Sequence, residues 1–453
     1  MCSPLGCIFF EIVKEKFKPL FIFFVVILSR LPFIWNSPGV DPDNWLVLYS
    51  GQKISETGLY TVSRLPGYPI SEYLSSIFGA NAWWVLNIIT VVFSALTMVY
   101  FYKILSYFNL KNKLLASITL AFTQGIFIAS TINMEYMWSI FFLMAGIFSV
   151  LQKKYILSGI LMGLMISVRF TNFLLLVPVL YLIIDIVKER KLFNILSFLL
   201  TLTLTFGICF IPVFRTYGLA LLPSEIWTLP DLKTIISLYT LYLYGPLGLL
   251  GLLISLVFIL KNRRYAAEKV KEYRKLFIFC GLMVAITSAV YFRFPFESYY
   301  NLPLIPFLII GLNIILFSEK VKKWVFLLLI ISPFLLNIST SNIQVMGSVF
   351  VNEKMEIMIR DYTRVLHQKF SERKEKRKIL VCGGFYYAYN YLYNEKNVSG
   401  KVMLRPSEEE IKQYISEGYV IYYPSDIIDE VKNIKKYDIT KYGESLLTPI
   451  HYD

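Results

Sequence analysis

Histidine is almost missing from this chain: among 453 residues only His367 and His451 carry an imidazole, and both lie near the C-terminal end. A histidine base or a His-rich metal site is therefore excluded from the first three quarters of the sequence. The five cysteines, Cys2, Cys7, Cys209, Cys280 and Cys382, are scattered and form no metal or disulfide spacing. Charged residues make up only 17% and gather in short runs. The N-terminal MCSPLGCIFFEIVKEKFK lacks a cleavable-signal pattern, so the first apolar run reads as a retained helix. No internal repeat is visible, and no midplane helix reads as broken.

What is present is apolar. Hydrophobic residues reach 56%, aromatics 17% and mean hydropathy +0.57, which excludes an ordinary soluble enzyme. The runs predict an α-helical polytopic membrane protein with about eleven spanning segments. They centre on 18–36, 82–105, 113–131, 137–152, 155–169, 171–187, 193–213, 241–260, 276–292, 302–318 and 323–339. Arg169 and Thr171-Asn172 interrupt the apolar stretch at 155–187. Alternate loops differ sharply in charge. One set, from Lys14 through the run KNRRYAAEKVKEYRK to Lys323, holds twenty-one basic residues; the other holds six. The positive-inside bias puts the first set and the N-terminus in the cytoplasm of a multi-pass plasma-membrane protein. The net charge of +14 is explained by those loops facing anionic lipid, without nucleic-acid binding.

Residues 1–339 thus read as the membrane domain, with a first outer loop at 37–81, and 340–453 as a small extracytoplasmic α/β domain. In the latter, VNEKMEIMIRDYTRVLHQKF and SEEEIKQYISEG are helix-like, while KILVCGG and YVIYYPS are strand-like. Gly383-Gly384 after a strand reads as an ordinary turn, not a phosphate loop. Asn337-Ile338-Ser339 and Asn397-Val398-Ser399 are glycosylation sequons.

The first loop, VDPDNWLVLYSGQKISETGLYTVSRLPGYPISEY, carries the chemistry-bearing residues. Asp41 suits a helix N-cap, Pro42 the first helical position and Gly58 the helix end. Asp43 is then a first-turn acid and Arg64 a headgroup contact, or the same residues are a site. Other outward turns carry Glu135, Arg169, Arg293, Glu297, Tyr299 and Tyr300. Together these predict a polar cup at the outer leaflet, because charges at membrane depth face a cavity or each other. Without histidine, its base must be a carboxylate from Asp41 or Asp43, and arginines suit a phosphate. The spacing Ser158-Gly159 to Gly163 reads as helix packing.

Four segments, LSRLPFIW, DPDNW followed by ETGLYTVSRLPGYPISE, GILMGLMISVRFTNFLLLVP and FPFESYYNLPLIP, resemble the GT-C superfamily of polytopic glycosyltransferases. The resemblance is strongest to its protein-mannosyltransferase and aminoarabinose-transferase-like branch. It implies transfer of a sugar from a polyprenyl- or dolichyl-phosphate donor to an acceptor hydroxyl. It also implies that the first-loop acid, preferably Asp41, is catalytic, and that Arg64 and Arg169 touch the donor phosphate or line the pocket. Some branches bind a divalent metal such as Mg or Mn through a D-x-D, which would make Asp43 a ligand. Relatives place an arginine before the tyrosine of the fourth segment; here Arg293 is its only substitute. The rival reading is a transporter or flippase of lipid-linked saccharides.

Overall fold

The computed structural model describes residues 4–79, 82–186, 191–218, 229–338, 343–393 and 400–424. Cys2, Lys188, Arg190, Ser339, the sequon at Asn397 and His451 lie outside the described residues. In chain order the helices are α1 (Pro4–Arg30), α2 (Pro42–Thr57), α3 (Pro69–Phe78), α4 (Ala82–Tyr107), α5 (Lys113–Phe122), α6 (Gln124–Ala129), α7 (Tyr136–Leu151), α8 (Tyr155–Val168), α9 (Leu176–Ile186) and α10 (Lys191–Tyr217). They continue with α11 (Leu232–Tyr239), α12 (Leu241–Lys261), α13 (Arg263–Glu272), α14 (Arg274–Arg293), α15 (Ile305–Ile315), α16 (Glu319–Leu335), α17 (Ser348–Glu372), α18 (Tyr386–Tyr393) and α19 (Glu408–Ser416). The strands are β1 (Asn337–Ile338), β2 (Ile343–Gln344), β3 (Lys378–Val381), β4 (Lys401–Met403) and β5 (Val420–Tyr422).

Five helical stretches are long and apolar enough to cross a membrane: Ala82–Tyr107, Leu192–Tyr217, Leu241–Lys261, Arg274–Arg293 and Ser298–Ile315. At 1.5 Å per residue they measure about 27–39 Å, against about 30 Å of hydrocarbon. Lys113–Phe122, Tyr136–Leu151, Tyr155–Val168 and Phe170–Ile186 are shorter apolar helices. Against the about eleven segments expected, five stretches of the described residues are long and apolar enough to span; the run at 18–36 leaves its helix at Arg30, and that at 323–339 at Leu335. The chain is a polytopic helical membrane protein with a small sheet near its C-terminal end.

The residues group into two compact units: Met1–Trp35, Leu65–Ile70 and Asn87–Asn352 in one, Asn36–Arg64, Ser71–Leu86 and Glu353–Asp453 in the other. Most of the first loop is thus grouped with the C-terminal residues.

In the larger unit, α8 packs along α10 through the small-residue face. A Cβ on Gly163 would stand 2.8 Å from the Leu202 carbonyl oxygen and 2.7 Å from Thr205 Cβ, so only glycine permits this approach. Helix α8 stops at Val168 because Arg169 is extended (φ −149°, ψ 97°), and a 3₁₀ turn, Phe170–Leu175, leads into α9.

Helix α12 is interrupted near its start, four residues in, and not at midspan. Gly245 sits at φ 70°, ψ 168°, ahead of Pro246. Proline has no N–H to give the Tyr242 carbonyl four residues back. Gln124 Nε2 takes over, donating to the carbonyls of Leu241 (3.0 Å) and Tyr242 (3.1 Å). The Gly248 N–H finds Ser332 Oγ at 3.0 Å.

In the smaller unit, β3 lies between β4 and β5, all parallel, and α17 covers the sheet. The core is Tyr362, Leu366, Phe370, Leu380, Cys382, Tyr389 and Val402. Burial drives the Cys382 thiol far above its ordinary pKa, so it stays protonated and inert. Gly383 (φ 54°) makes the turn after β3. Its N–H is bound to the Leu404 carbonyl at 3.0 Å, and the segment is an ordinary turn. Lys378 is buried and closes the end of α17, donating to the carbonyls of Phe370 (2.8 Å) and Arg373 (2.6 Å).

Candidate functional site

The first-loop acids sit at the start of α2, in the smaller unit. Asp41 is the N-cap, with Oδ1 accepting the Asp43 N–H at 2.9 Å, and Pro42 follows it. Gly58, at φ 69°, closes the helix with its N–H on the Ile54 carbonyl at 2.8 Å. The chain enters this cap through Gly39 (φ 145°), which clears the buried Asn44 side chain; Asn44 Nδ2 donates to the Pro38 carbonyl at 2.7 Å. Asp43 projects its other group into an ion pair: Arg64 Nη1 lies 2.7 Å from Asp43 Oδ2. The arginine side chain is 16% exposed and the aspartate 36%, so the acid stays reachable from solvent.

Glu72, which sequence reasoning passed over, holds the strand of chain that delivers Arg64. It is fully buried on α3. Its Oε1 accepts the Ser63 N–H and Oγ–H, both at 2.6 Å, and its Oε2 accepts the Tyr60 hydroxyl. Three such donors satisfy a buried carboxylate and fix the loop one residue before the arginine. Helices α2 and α3 meet closely: a Cβ on Gly51 would lie 2.8 Å from the Ser75 backbone carbon.

Helix α18 packs on α2 in the same unit. The Tyr49 ring stands 5.8 Å from those of Tyr386 and Tyr387, and Trp45 lies edge-on to Tyr391 at 6.3 Å. Burial, then the nearby Asp43 carboxylate, raise the Tyr387 phenol above its ordinary pKa, while Arg405 opposes them.

A second cluster lies wholly in the larger unit. Arg169 Nη1 pairs with Glu135 Oε1 at 2.9 Å, with side chains 5% and 0% exposed. The guanidinium stacks on Tyr136 at 3.9 Å and Tyr300 at 4.7 Å. Tyr299 packs on Tyr136 at 5.2 Å, and Glu297 and Tyr136 interact electrostatically. Five of the expected residues therefore converge here. Arg293 does not join them by any described bond: it is exposed at the end of α14, with its guanidinium 5.0 Å from the Phe294 ring.

Two more buried groups escaped the sequence. Arg30 is fully buried, with Nε donating to Ser130 Oγ (3.1 Å), Nη1 to Ser29 Oγ (2.7 Å) and Nη2 to the Ala121 carbonyl. Its guanidinium lies 4.1 Å from the Phe127 ring. Asn301 is also fully buried, and neither side-chain polar atom finds a partner among the described residues. LSRLPFIW and YYNLP stood in the sequence, but nothing local marks either residue as interior.

A divalent metal does not suit the D-x-D. The guanidinium on Asp43 Oδ2 would repel a cation, and Asp41 Oδ1 is spent on the cap. Among the described residues no three His, Cys, Asp or Glu side chains gather as a ligand set.

No protein-family model matches the chain. No curated protein matches it either. Among solved structures it is similar to the Archaeoglobus fulgidus oligosaccharyltransferase, crystallised tethered by a disulfide to an acceptor peptide containing the NVT sequon. The TM-score is 0.47 and the identity 12%, over 86% of this chain and 64% of that one; this chain spans less than two thirds of that protein's length.

Proposed function

We propose that the protein is an integral-membrane glycosyltransferase that moves a sugar from a polyprenyl- or dolichyl-phosphate carrier to a hydroxyl on a protein, lipid or glycan. The reaction is placed at the outer face of the cytoplasmic membrane. The observation that carries the reading is the Asp43–Arg64 pair: a carboxylate open to solvent, held 2.7 Å from a guanidinium that can take no other charge state. The first-loop resemblance to the GT-C glycosyltransferases supports it from the sequence side.

In this reading Asp43 accepts the proton of the acceptor hydroxyl as its oxygen attacks the anomeric carbon. The bond from that carbon to the phosphate oxygen breaks, and the carrier phosphate leaves with the electron pair. Arg64 neutralises the charge that builds on it. Asp41 keeps α2 in register by capping it, which moves the proposed base from Asp41 to Asp43. The buried Arg169 is matched by Glu135, so its role is to position Tyr136 and Tyr300.

The test is to incubate membranes holding the full chain with radiolabelled polyprenyl-phosphate sugars and follow the label. Transfer to an acceptor, lost more than about a hundredfold in Asp43→Asn, is the expected outcome. Undiminished transfer by Asp43→Asn overturns the assignment. A transporter of lipid-linked saccharides, marked by helices broken at the midplane, is disfavoured: Gly245 interrupts α12 only four residues from its start. In a transporter the label crosses the bilayer without changing its lipid.

A further inference from the structure

The C-terminal sheet has an order, β4-β3-β5, in which the chain leaves the central strand to one side and returns on the other. Ligands of open parallel sheets bind beyond the carboxyl ends of the strands at such a switch. Two residues stand at that edge. Tyr387 is in the first turn of α18, just after β3, and Arg405 lies two residues after the end of β4.

This edge meets the first loop within the same unit. Tyr49 on α2 touches both Tyr386 and Tyr387, with a 3.4 Å hydroxyl contact to Tyr386. Asp43 lies six residues, under two turns, before Tyr49 on the same helix. Arg405 is held beside the end of β3, since the carbonyl of its neighbour Leu404 accepts the Gly383 N–H at 3.0 Å, and Asp43 and Arg405 shift the Tyr387 phenol in opposite directions. The Lys53 ammonium stands 5.1 Å from the Tyr49 ring. Arg64 joins the group through its ion pair with Asp43, 2.7 Å away. Aromatic packing alone would explain the rings; it does not explain an arginine at the strand-end switch and an Asp43–Arg64 pair carried on the helix that packs against it.

We propose that Arg405 and Tyr387 join Asp43 and Arg64 in one binding site for a phosphate ester, so that the C-terminal sheet supplies part of the substrate site. This rests on the reading above for the identity of the phosphate as that of the lipid carrier. Arg405 gives a forked donor and Tyr387 one hydroxyl, suited to phosphate oxygens.

The experiment uses the full-length protein in detergent and measures binding of undecaprenyl phosphate, undecaprenol and inorganic phosphate. Arg405→Gln is expected to weaken undecaprenyl phosphate binding about tenfold or more, the scale of one charge-assisted hydrogen bond. Arg405→Lys should recover part of it, keeping charge but losing the fork. Tyr387→Phe, which keeps the ring, should weaken it less. Undecaprenol binding should be unchanged in all three. Inorganic phosphate binding with the same Arg405 dependence supports the site while making free phosphate sufficient. Equal affinity of Arg405→Gln and the parent for both phosphates overturns the proposal. Sugar transfer is scored separately: if no label moves but Arg405→Gln still loses binding, the enzymatic reading falls and the phosphate site stands.

Discussion

Removing either partner of the Glu135–Arg169 pair should strip the larger unit of much of its stability. The two side chains are 0% and 5% exposed and 2.9 Å apart. With Glu135→Gln, a guanidinium remains in a space without bulk water, stacked on two phenol rings and lacking its counter-charge. Such half-broken buried pairs cost about 3–5 kcal/mol. With Arg169→Met the carboxylate is stranded instead, at a similar cost. The double variant removes both charges together, and an amide beside a methionine costs far less to bury than one stranded charge. The double should therefore lie well above either single, with a coupling energy of at least about 2 kcal/mol. The assay is reversible unfolding of the detergent-solubilised protein by SDS titration, run as a four-member cycle. If the single variants each cost under about 1 kcal/mol and simply add, the pair behaves like a solvated surface contact. The same proteins separate structure from chemistry. A folded double variant that still transfers sugar assigns Arg169 a positioning role; one that is folded but inactive returns it to the donor phosphate.

Asp41→Asn should keep both stability and transfer, because asparagine caps as well as aspartate, whereas Asp41→Ala should cost about 1 kcal/mol in thermal melts. Glu72→Ala should lower kcat through Arg64 and destabilise the first loop, since three donors lose their acceptor; limited proteolysis at 59–64 reads the loop directly. Gly163→Ala should cost about 1–3 kcal/mol by pushing α8 from α10, while Gly207→Ala, with nothing within 4 Å of its Cβ, should cost nothing measurable. Burial lowers the pKa of His367, whose Nδ1 is 3.0 Å from the Tyr389 hydroxyl. The unfolded chain then binds a proton that the fold refuses, so protection of α17 amides from hydrogen exchange should fall as pH drops through about 6.5 and level off below the depressed value. His367→Phe should flatten that profile.

Local grammar was readable in advance. Asp41-Pro42 and Gly58 bracket α2 because caps act within a turn, and the apolar runs include all five stretches long and apolar enough to span, while overstating the number of full-length spans. The acids and arginines of the first loop were visible as residues; that Asp43 meets Arg64 across twenty-one positions was not. Arg30 was hidden for the same reason: its acceptors Ser130 and Ala121 are about a hundred residues away in sequence, so no local pattern announces an interior guanidinium. Strand β4, only three residues long, is too short to show a period. The break in α12 had a cue in Gly245-Pro246, but apolar neighbours on both sides masked it.

That break ties two distant positions into one unit of inheritance. An amide 118 residues upstream covers the Tyr242 carbonyl that a proline left bare. A descendant that replaced Pro246 with alanine would need Gln124 only for Leu241, and one that lost Gln124 would carry two uncovered carbonyls in oil. Gln124 and Pro246 should therefore be kept or surrendered as a pair among sequences sharing this architecture, and a lineage that exchanges one freely while retaining the other would show that the helix is mended by other means.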